Sequence, residues 1–233
     1  VAFRMLPETV WGMPEFGTFN LHASLLPNYR GAAPINWAII NGEKETGVTT
    51  FFLKQDIDTG DIIFQEKVPI PEDGTAGQLH DHLKEVGSRL VLKTVNAIEA
   101  RDYQLSLQTD LILANKKIKV APKIFKQDCQ IDWKKDVESI YNQIRGLSPY
   151  PGAWTELKTP ENEAFTFKIY KASKTEECNS IYTGSIQVDK NTFSINCNGG
   201  ILVLEEVQIA GKRKMLIDEF LRGTRIDSNW IIN

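Results

Sequence analysis

Two short segments of the sequence carry the side chains best suited to acid–base chemistry. The first, residues 19–22, places the amide of Asn20 two positions before the imidazole of His22. The second, residues 57–61, supplies the carboxylate of Asp58. An imidazole can move a proton near neutral pH, and an amide can stabilise an oxyanion. The three residues are therefore candidates for one catalytic group, although an Asn beside a His is more often structural, and spacing alone does not pair Asp58 with His22.

The pattern around the first segment indicates how Asn20 and His22 are held. Apolar and polar residues alternate over 19–22, which is typical of a strand buried on one face, so both polar side chains lie on the same face. A turn-rich run follows, and Pro34 suits the first turn of a helix that should stop at residues 41–42. Open α/β sheets bind ligands where a strand ends opposite a helix N-terminus, so we expect the site there.

The rest of the N-terminal region predicts two strands and a long helix. Residues 47–53 and 61–70 are rich in β-branched and aromatic residues, and the loop between them carries Asp58. A capping-box pattern starts at Thr75, and apolar residues then recur at helical spacing as far as residues 100–101. The long helix should contribute its apolar stripe to the core.

Residues 102–120 predict an irregular, basic linker. The stretch from residue 116 to residue 126 contains five lysines and no acidic residue. Such a run can meet phosphates even on an acidic protein, and the alternative is a solvated linker without a partner.

Beyond the linker the pattern changes to one helix and several short strands. The helix covers residues 137–144 and ends before Gly146 and Pro149. A short helix at residues 216–221, closed by Gly223, should finish the region. Strands at this spacing favour a small OB-like barrel. They are predicted at residues 165–172, 182–188, 192–197 and 201–209.

Composition limits the remaining classes. The chain has 233 residues and a formal net charge of -3, so it has no global basic signal for nucleic acid. No apolar run is long enough to span a bilayer, and we expect no membrane association. Cys129, Cys178 and Cys197 are widely spaced, which argues for reduced thiols in the cytoplasm and against a disulfide framework or zinc site. His80 and His82 point to different faces of the long helix, so we expect no metal.

Several motifs in this order resemble a known family. Asn-x-His-x-Ser-Leu-Leu-Pro at residues 20–27 and Asp-Thr-Gly-Asp at 58–61 resemble the signature of formyltetrahydrofolate-dependent formyltransferases. Arg-Gly-Ala-Ala-Pro at 30–34 resembles the branch of that family that acts on methionyl-tRNA. The likeness covers nearly the whole chain and continues through shorter pieces at residues 47–49, 131–133 and 149–154.

The resemblance implies transfer of a formyl group from 10-formyltetrahydrofolate, as co-substrate, to the α-amine of methionyl-initiator tRNA, for translation initiation. Asn20 would hydrogen-bond the formyl oxygen as charge develops. His22 would take the amine proton or stabilise the tetrahedral intermediate, and Asp58 would orient His22. Attack is direct, so no covalent intermediate with the protein is expected.

The resemblance also assigns binding residues. It places the folate against Ser24, Leu25, Leu26 and Pro27, which could otherwise be an ordinary loop that closes the strand. The tRNA-binding residues would be Lys116, Lys117, Lys119 and Lys123.

The resemblance further implies an α/β fold with an OB-like second domain. Residues 1–101 would be the C-terminal half of a Rossmann-like formyltransferase domain, 102–120 a basic linker, and 121–233 an OB-like tRNA-contacting domain. The family's catalytic domain has another half before the point that matches Val1, with part of the folate pocket and a tRNA-contacting loop. We therefore do not expect these residues alone to form a competent enzyme, and we expect a monomer.

Two alternatives remain open at this point. One is another formyltetrahydrofolate-dependent formyltransferase, or a hydrolase, that acts on a small amine. The other is a non-catalytic RNA-binding fragment, whose tRNA binding would be salt-sensitive and accompanied by no formyl transfer.

Overall fold

The computed structural model describes residues 6–114, 117–175, 183–226 and 229–232. Contacts divide the chain into two compact units. The first contains the residues up to Ala38, Glu43–Gly74 and Gln78–Ile124, and the second contains Ile39–Gly42, Thr75–Gly77 and the residues from Phe125 onward.

The first unit is built on a three-stranded antiparallel sheet with β3 in the centre. Residues Thr46 to Phe51 of β3 are all buried, so both faces of this strand are covered. The sequence predicts the candidate site at the end of a strand, and His22 is the last residue of β1, although β1 belongs here to an antiparallel sheet. The elements before β6 are α1 (Glu8–Trp11), β1 (Phe19–His22), β2 (Arg30–Gly31), α2 (Pro34–Ile40), β3 (Glu45–Phe52), β4 (Ile62–Pro69), α3 (Ala76–Ala100), α4 (Gln108–Ala114), β5 (Val120–Ala121), a 3-10 helix (Lys126–Cys129) and α5 (Val137–Leu147).

Helix α3 is the long amphipathic helix that the sequence predicts. Its apolar stripe is buried, and Thr94 within the stripe pairs its hydroxyl with that of Thr50 on β3 at 2.9 Å. Gly87 lets the helix come close to β1, because a Cβ there would lie 2.7 Å from Cδ2 of Leu21.

The prediction of an irregular segment at residues 102–120 is wrong for the part that forms α4 and for β5. Strand β5 pairs in parallel with β2. The backbone N–H of Tyr29 donates to the Lys119 carbonyl at 2.6 Å, and the Trp37 indole N–H donates to the Pro122 carbonyl at 2.8 Å. Local sequence statistics missed these elements because their partners lie far away along the chain.

The second unit contains a nearly closed antiparallel sheet of seven strands in the order β12-β6-β7-β10-β9-β8, with β11 on β10. In its core Phe167 stacks on Phe193, with ring centroids 6.1 Å apart, and lies tilted against Phe220, with centroids 5.3 Å apart. The barrel-like architecture is as predicted. Its elements are β6 (Ala153–Lys158), β7 (Ala164–Thr175), β8 (Ile186–Val188), β9 (Phe193–Cys197), β10 (Gly200–Ile209), β11 (Met215–Leu216), α6 (Ile217–Gly223) and β12 (Ile231–Ile232).

Several bounds in this unit differ from the sequence prediction. Strand β6, whose burial alternates, was not predicted. Strand β8 begins only at Ile186, and Gly223 is the last residue of α6 and does not stand beyond it. Tyr182, the predicted first residue of β8, and Cys178 lie outside the described residues.

Candidate functional site

Strand β1 brings two of the predicted site residues together. It pairs with β3 so that Asn20 lies opposite Phe51 and His22 lies opposite Thr49. Since side chains alternate along a strand, Asn20 and His22 share one face. His22 is only 7% exposed, and Asn20 is half-buried. The pair therefore sits in a largely dry environment.

The His22 ring is held by a backbone carbonyl. Its Nε2 lies 2.8 Å from the carbonyl oxygen of Tyr29. Because a carbonyl only accepts hydrogen bonds, Nε2 carries a proton and donates it there, which assigns the tautomer of the neutral ring. The other nitrogen, Nδ1, lies 3.7 Å from Oδ2 of Asp58. A proton taken up by this ring therefore arrives at Nδ1, next to a carboxylate.

Asp58 lies in the loop between β3 and β4 and faces His22. Its φ of 55° is in the left-handed region, which non-glycine residues rarely adopt. Its Oδ2 accepts a hydrogen bond of 2.9 Å from the backbone N–H of Gly31. At 3.7 Å the Asp58 carboxylate is close to the His22 ring but makes no hydrogen bond with it, so the ring orientation in this structure comes from Tyr29.

The structure adds Gln108, from α4, to the site. Its side-chain amide nitrogen donates to the backbone carbonyls of Asp58 at 2.9 Å and Gly60 at 2.7 Å. Its Oε1 accepts two bonds from Arg30, from Nε at 3.1 Å and Nη2 at 2.6 Å. Sequence reasoning missed Gln108 because it lies in the predicted linker, and a lone Gln at the start of a short helix has no local signal.

Arg30 is the one charged member of the Arg-Gly-Ala-Ala-Pro motif. Burial lowers the pKa of its guanidinium from the ordinary value of an arginine, and the nearby Asp58 carboxylate opposes that effect. An arginine stays protonated through such shifts, so this cation remains beside the Asp58 loop.

The Ser-Leu-Leu-Pro run is largely committed to the fold. The Ser24 hydroxyl donates to the Asn28 carbonyl at 2.7 Å, and Leu26 is buried beside Phe51 and Ile62. Pro27 is buried as well, whereas Leu25 is half-buried and is the most accessible of the four. Folate binding by this run stays a prediction, for which Leu25 offers the most accessible side chain.

The predicted tRNA-binding lysines have different surroundings. Lys119 forms an ion pair with Glu43 at 2.5 Å. Lys117 is exposed and lines a cavity of about 290 Å³ together with Lys119. Lys123 is exposed, and Lys116 lies outside the described residues.

The described ranges contain neither a metal-binding cluster nor a membrane-spanning helix. No group of three or more His, Cys, Asp or Glu side chains there is arranged to hold a metal ion. No helix in those ranges is long and apolar enough to cross a membrane.

Family models match both parts of the chain. The model of the family described as formyl transferase matches residues 2–95, and the model of the formyl transferase C-terminal domain matches residues 123–225. The chain therefore belongs to the formyltransferase family.

Curated relatives indicate which branch of the formyltransferase family the chain resembles. Methionyl-tRNA formyltransferase from Azobacteroides pseudotrichonymphae is 54% identical over 226 residues, which cover 96% of this chain and 69% of the relative. The enzymes of the same name from Bacteroides fragilis and Flavobacterium johnsoniae are each 50% identical, with the same coverage of both chains. Within the family, the chain thus falls among the methionyl-tRNA formyltransferases.

Solved structures agree on the fold. HypX from Aquifex aeolicus, in complex with tetrahydrofolic acid, matches with a TM-score of 0.67 at 20% identity. The matched region covers 94% of this chain and 36% of the HypX chain. At this identity the match shows a common fold only. An N-formyltransferase from Helicobacter canadensis, solved with folinic acid and dTDP-3-aminofucose, has a TM-score of 0.60 at 29% identity and covers 80% of this chain and 64% of its own.

Proposed function

We infer that this chain transfers the formyl group of 10-formyltetrahydrofolate to the α-amine of methionyl-initiator tRNA, the step that prepares the initiator for translation. The observation that carries this is 50–54% identity to methionyl-tRNA formyltransferases over 96% of the chain. The arrangement of Asn20, His22 and Asp58 supports it, since it supplies an amide, a base and a carboxylate on one side of β1.

The chemistry follows from these three side chains. The amine nitrogen attacks the formyl carbon, a C–N bond forms, and negative charge develops on the formyl oxygen. Asn20 donates a hydrogen bond to that oxygen. His22 accepts the amine proton at Nδ1, and Asp58 stabilises the resulting imidazolium. The bond from the formyl carbon to N10 of the folate then breaks, N10 receives the proton, and tetrahydrofolate leaves.

A comparison of acceptors tests the function. Methionyl-initiator tRNA and a dTDP-amino sugar are offered to the protein side by side, with 10-formyltetrahydrofolate as donor and [14C]formyl incorporation as readout. We expect label in the tRNA and none in the sugar. Transfer to the sugar alone would replace the tRNA function with that of a small-amine formyltransferase.

We propose that the tRNA lies against the basic segment of Lys116, Lys117, Lys119 and Lys123 and against the domain from residue 121 to residue 233. Lysine contacts with phosphates release counterions, so binding weakens as salt rises. The enzyme would work as a monomer in the cytoplasm, where initiator tRNA is charged.

A pair of variants tests the tRNA contact. Lys117→Ala should reduce the slope of the logarithm of the tRNA association constant against the logarithm of salt concentration by about one. A change of this size corresponds to the loss of one phosphate contact. Lys84→Ala, a control at an exposed position of α3 outside the proposed tRNA surface, should leave the slope unchanged. Equal slopes for both variants would remove Lys117 from the tRNA interface.

A further inference from the structure

We propose that Gln108 is a positioning residue for formyl transfer, which fixes the loop of Asp58 against Arg30 so that the carboxylate stays in register with His22. The proposal rests on the function inferred above and assigns a role to a residue that touches neither substrate in our account. In this proposal α4, which lies in the segment predicted to be a linker, supplies a side chain that holds the Asp58 loop in place.

The first support is that Gln108 uses its whole hydrogen-bonding capacity. A side-chain amide has two N–H donors and an oxygen with two lone pairs. Here both donors reach carbonyls of the Asp58 loop, at Asp58 and Gly60, and the oxygen accepts both bonds from Arg30. The residue is only 2% exposed, so water cannot replace these partners cheaply.

The second support is that the loop needs such a restraint. Asp58 has a φ of 55°, in the left-handed region that non-glycine residues adopt only at an energetic cost. The surroundings must therefore hold it there. Gln108 does so through the carbonyl of Asp58 itself, and Gly31 does so through the Asp58 carboxylate.

The third support is that Gln108 ties both sides of the Asp58 contact together. Arg30, whose side chain it holds, directly precedes Gly31, whose N–H donates to Asp58 Oδ2. Rotation of the Gln108 amide would thus release the loop that carries the carboxylate and the residue before the donor at the same time. The 3.7 Å separation between Asp58 and His22 depends on both.

The test uses Gln108→Glu, which keeps an oxygen for Arg30 but loses both donors and sets a carboxylate against two carbonyls. Gln143→Glu in the second unit is the matched control. Gln143 is also buried and also donates to two backbone carbonyls, those of Asp128 at 3.1 Å and Gln130 at 3.0 Å, and neither carbonyl belongs to the Asp58 loop. We expect Gln108→Glu to slow single-turnover transfer by about ten- to a hundredfold at unchanged KM for tRNA. Gln143→Glu should leave that rate within about twofold.

A double-mutant cycle separates positioning from general loss of structure. If Gln108 acts through Asp58, Gln108→Glu should cost less than about threefold in an Asp58→Asn background. A full ten- to hundredfold loss in that background would overturn the proposal.

A readout without activity keeps this proposal separate from the proposed function. The protein has three histidines, so the ring 15N signals of His22 can be assigned by comparison with His22→Ala. These signals should change in Gln108→Glu and stay the same in Gln143→Glu. Unchanged His22 signals in folded Gln108→Glu would refute the positioning role even if the acceptor proved to be a sugar. Changed signals without tRNA formylation would refute only the function.

Discussion

The two units of the chain solve different physical problems. Around Asp58 in the first unit, polar groups are buried and held by hydrogen bonds from residues far apart in sequence, such as Gly31 and Gln108. The second unit also buries polar side chains, such as Gln143, but Phe167, Phe193 and Phe220 form an apolar cluster in the core of its barrel-like sheet. Directional hydrogen bonds therefore fix the groups around Asp58, whereas packing and apolar volume dominate around the three phenylalanine rings.

The largest expected effect tests the apolar half of this comparison. Phe193 is fully buried against Phe167, so Phe193→Ala should lower the free energy of unfolding by about 4 kcal/mol. Chemical denaturation followed by circular dichroism measures this. Leu216→Ala, at a side chain 59% exposed, should cost no more than about 0.5 kcal/mol. Similar losses for the two variants would contradict the account of the barrel core.

The next effect tests the polar half through Asn20. Asn20→Ala removes the amide that we propose as donor to the developing oxyanion, which should slow single-turnover formyl transfer by a factor of about 10² to 10³. The free energy of unfolding should change little, because Asn20 is only half-buried. A change in unfolding with no change in rate would make Asn20 a structural residue.

A glycine in each unit sharpens the comparison further. Gly31 has φ 122°, and a Cβ there would lie 2.4 Å from the Ala121 carbonyl oxygen. Gly31→Ala should therefore destabilise the protein by about 2 kcal/mol and displace the backbone N–H that donates to Asp58. Gly199 in the second unit has φ 81° with no atom within 4 Å, so Gly199→Ala should cost about 1 kcal/mol and leave the rate unchanged. Thermal unfolding and single-turnover rates together check both expectations, which fail if the two variants behave alike.

The smallest effect concerns the start of α5. Asp136 caps this helix by accepting from the Ser139 N–H at 2.8 Å, and hydrogen bonds from the Ser139 side chain and backbone lower the pKa of the Asp136 carboxyl below its usual 3.8. Because the carboxyl has a lower pKa in the folded protein than in the unfolded chain, it stabilises the folded state fully at pH values above the unfolded-state pKa. That stabilisation is lost as the pH falls through the folded-state pKa. Asp136→Ala should therefore cost about 1 kcal/mol at neutral pH and less in acid. Asp136→Asn keeps the cap and should therefore lower the free energy of unfolding less than Asp136→Ala at pH 7. If the loss of stability in Asp136→Ala does not vary with pH, the charge of Asp136 makes no contribution.

The sequence predicted those parts of the molecule that local patterns encode. The alternation of β1, the apolar stripe of α3 and the short strands β7, β9 and β10 all have a period that the chain displays directly. The Asn20, His22 and Asp58 candidates came from residue type and motif, and the structure places His22 and Asp58 within 3.7 Å.

Other parts depend on contacts that no local pattern contains. Helix α4 and strand β5 are stabilised against residues far away in the chain, and Gln108 matters only because Arg30 and Asp58 fold against it. The acceptor for His22 Nε2 is a backbone carbonyl, that of Tyr29, which has no residue-type signature. The commitment of Ser24 and Leu26 to packing likewise follows from tertiary contacts.

The most direct test of the central claim is single-turnover formyl transfer from 10-formyltetrahydrofolate to methionyl-initiator tRNA. It compares the chain extended upstream to the length of its relatives, of which it spans 69%, with the same protein carrying His22→Ala. We predict transfer by the extended protein and a rate lower by a factor of about 10² to 10⁴ in His22→Ala, with tRNA binding unchanged. Equal rates for the two proteins would contradict the account, because the proton would then leave the amine without the ring that Tyr29 and Asp58 surround.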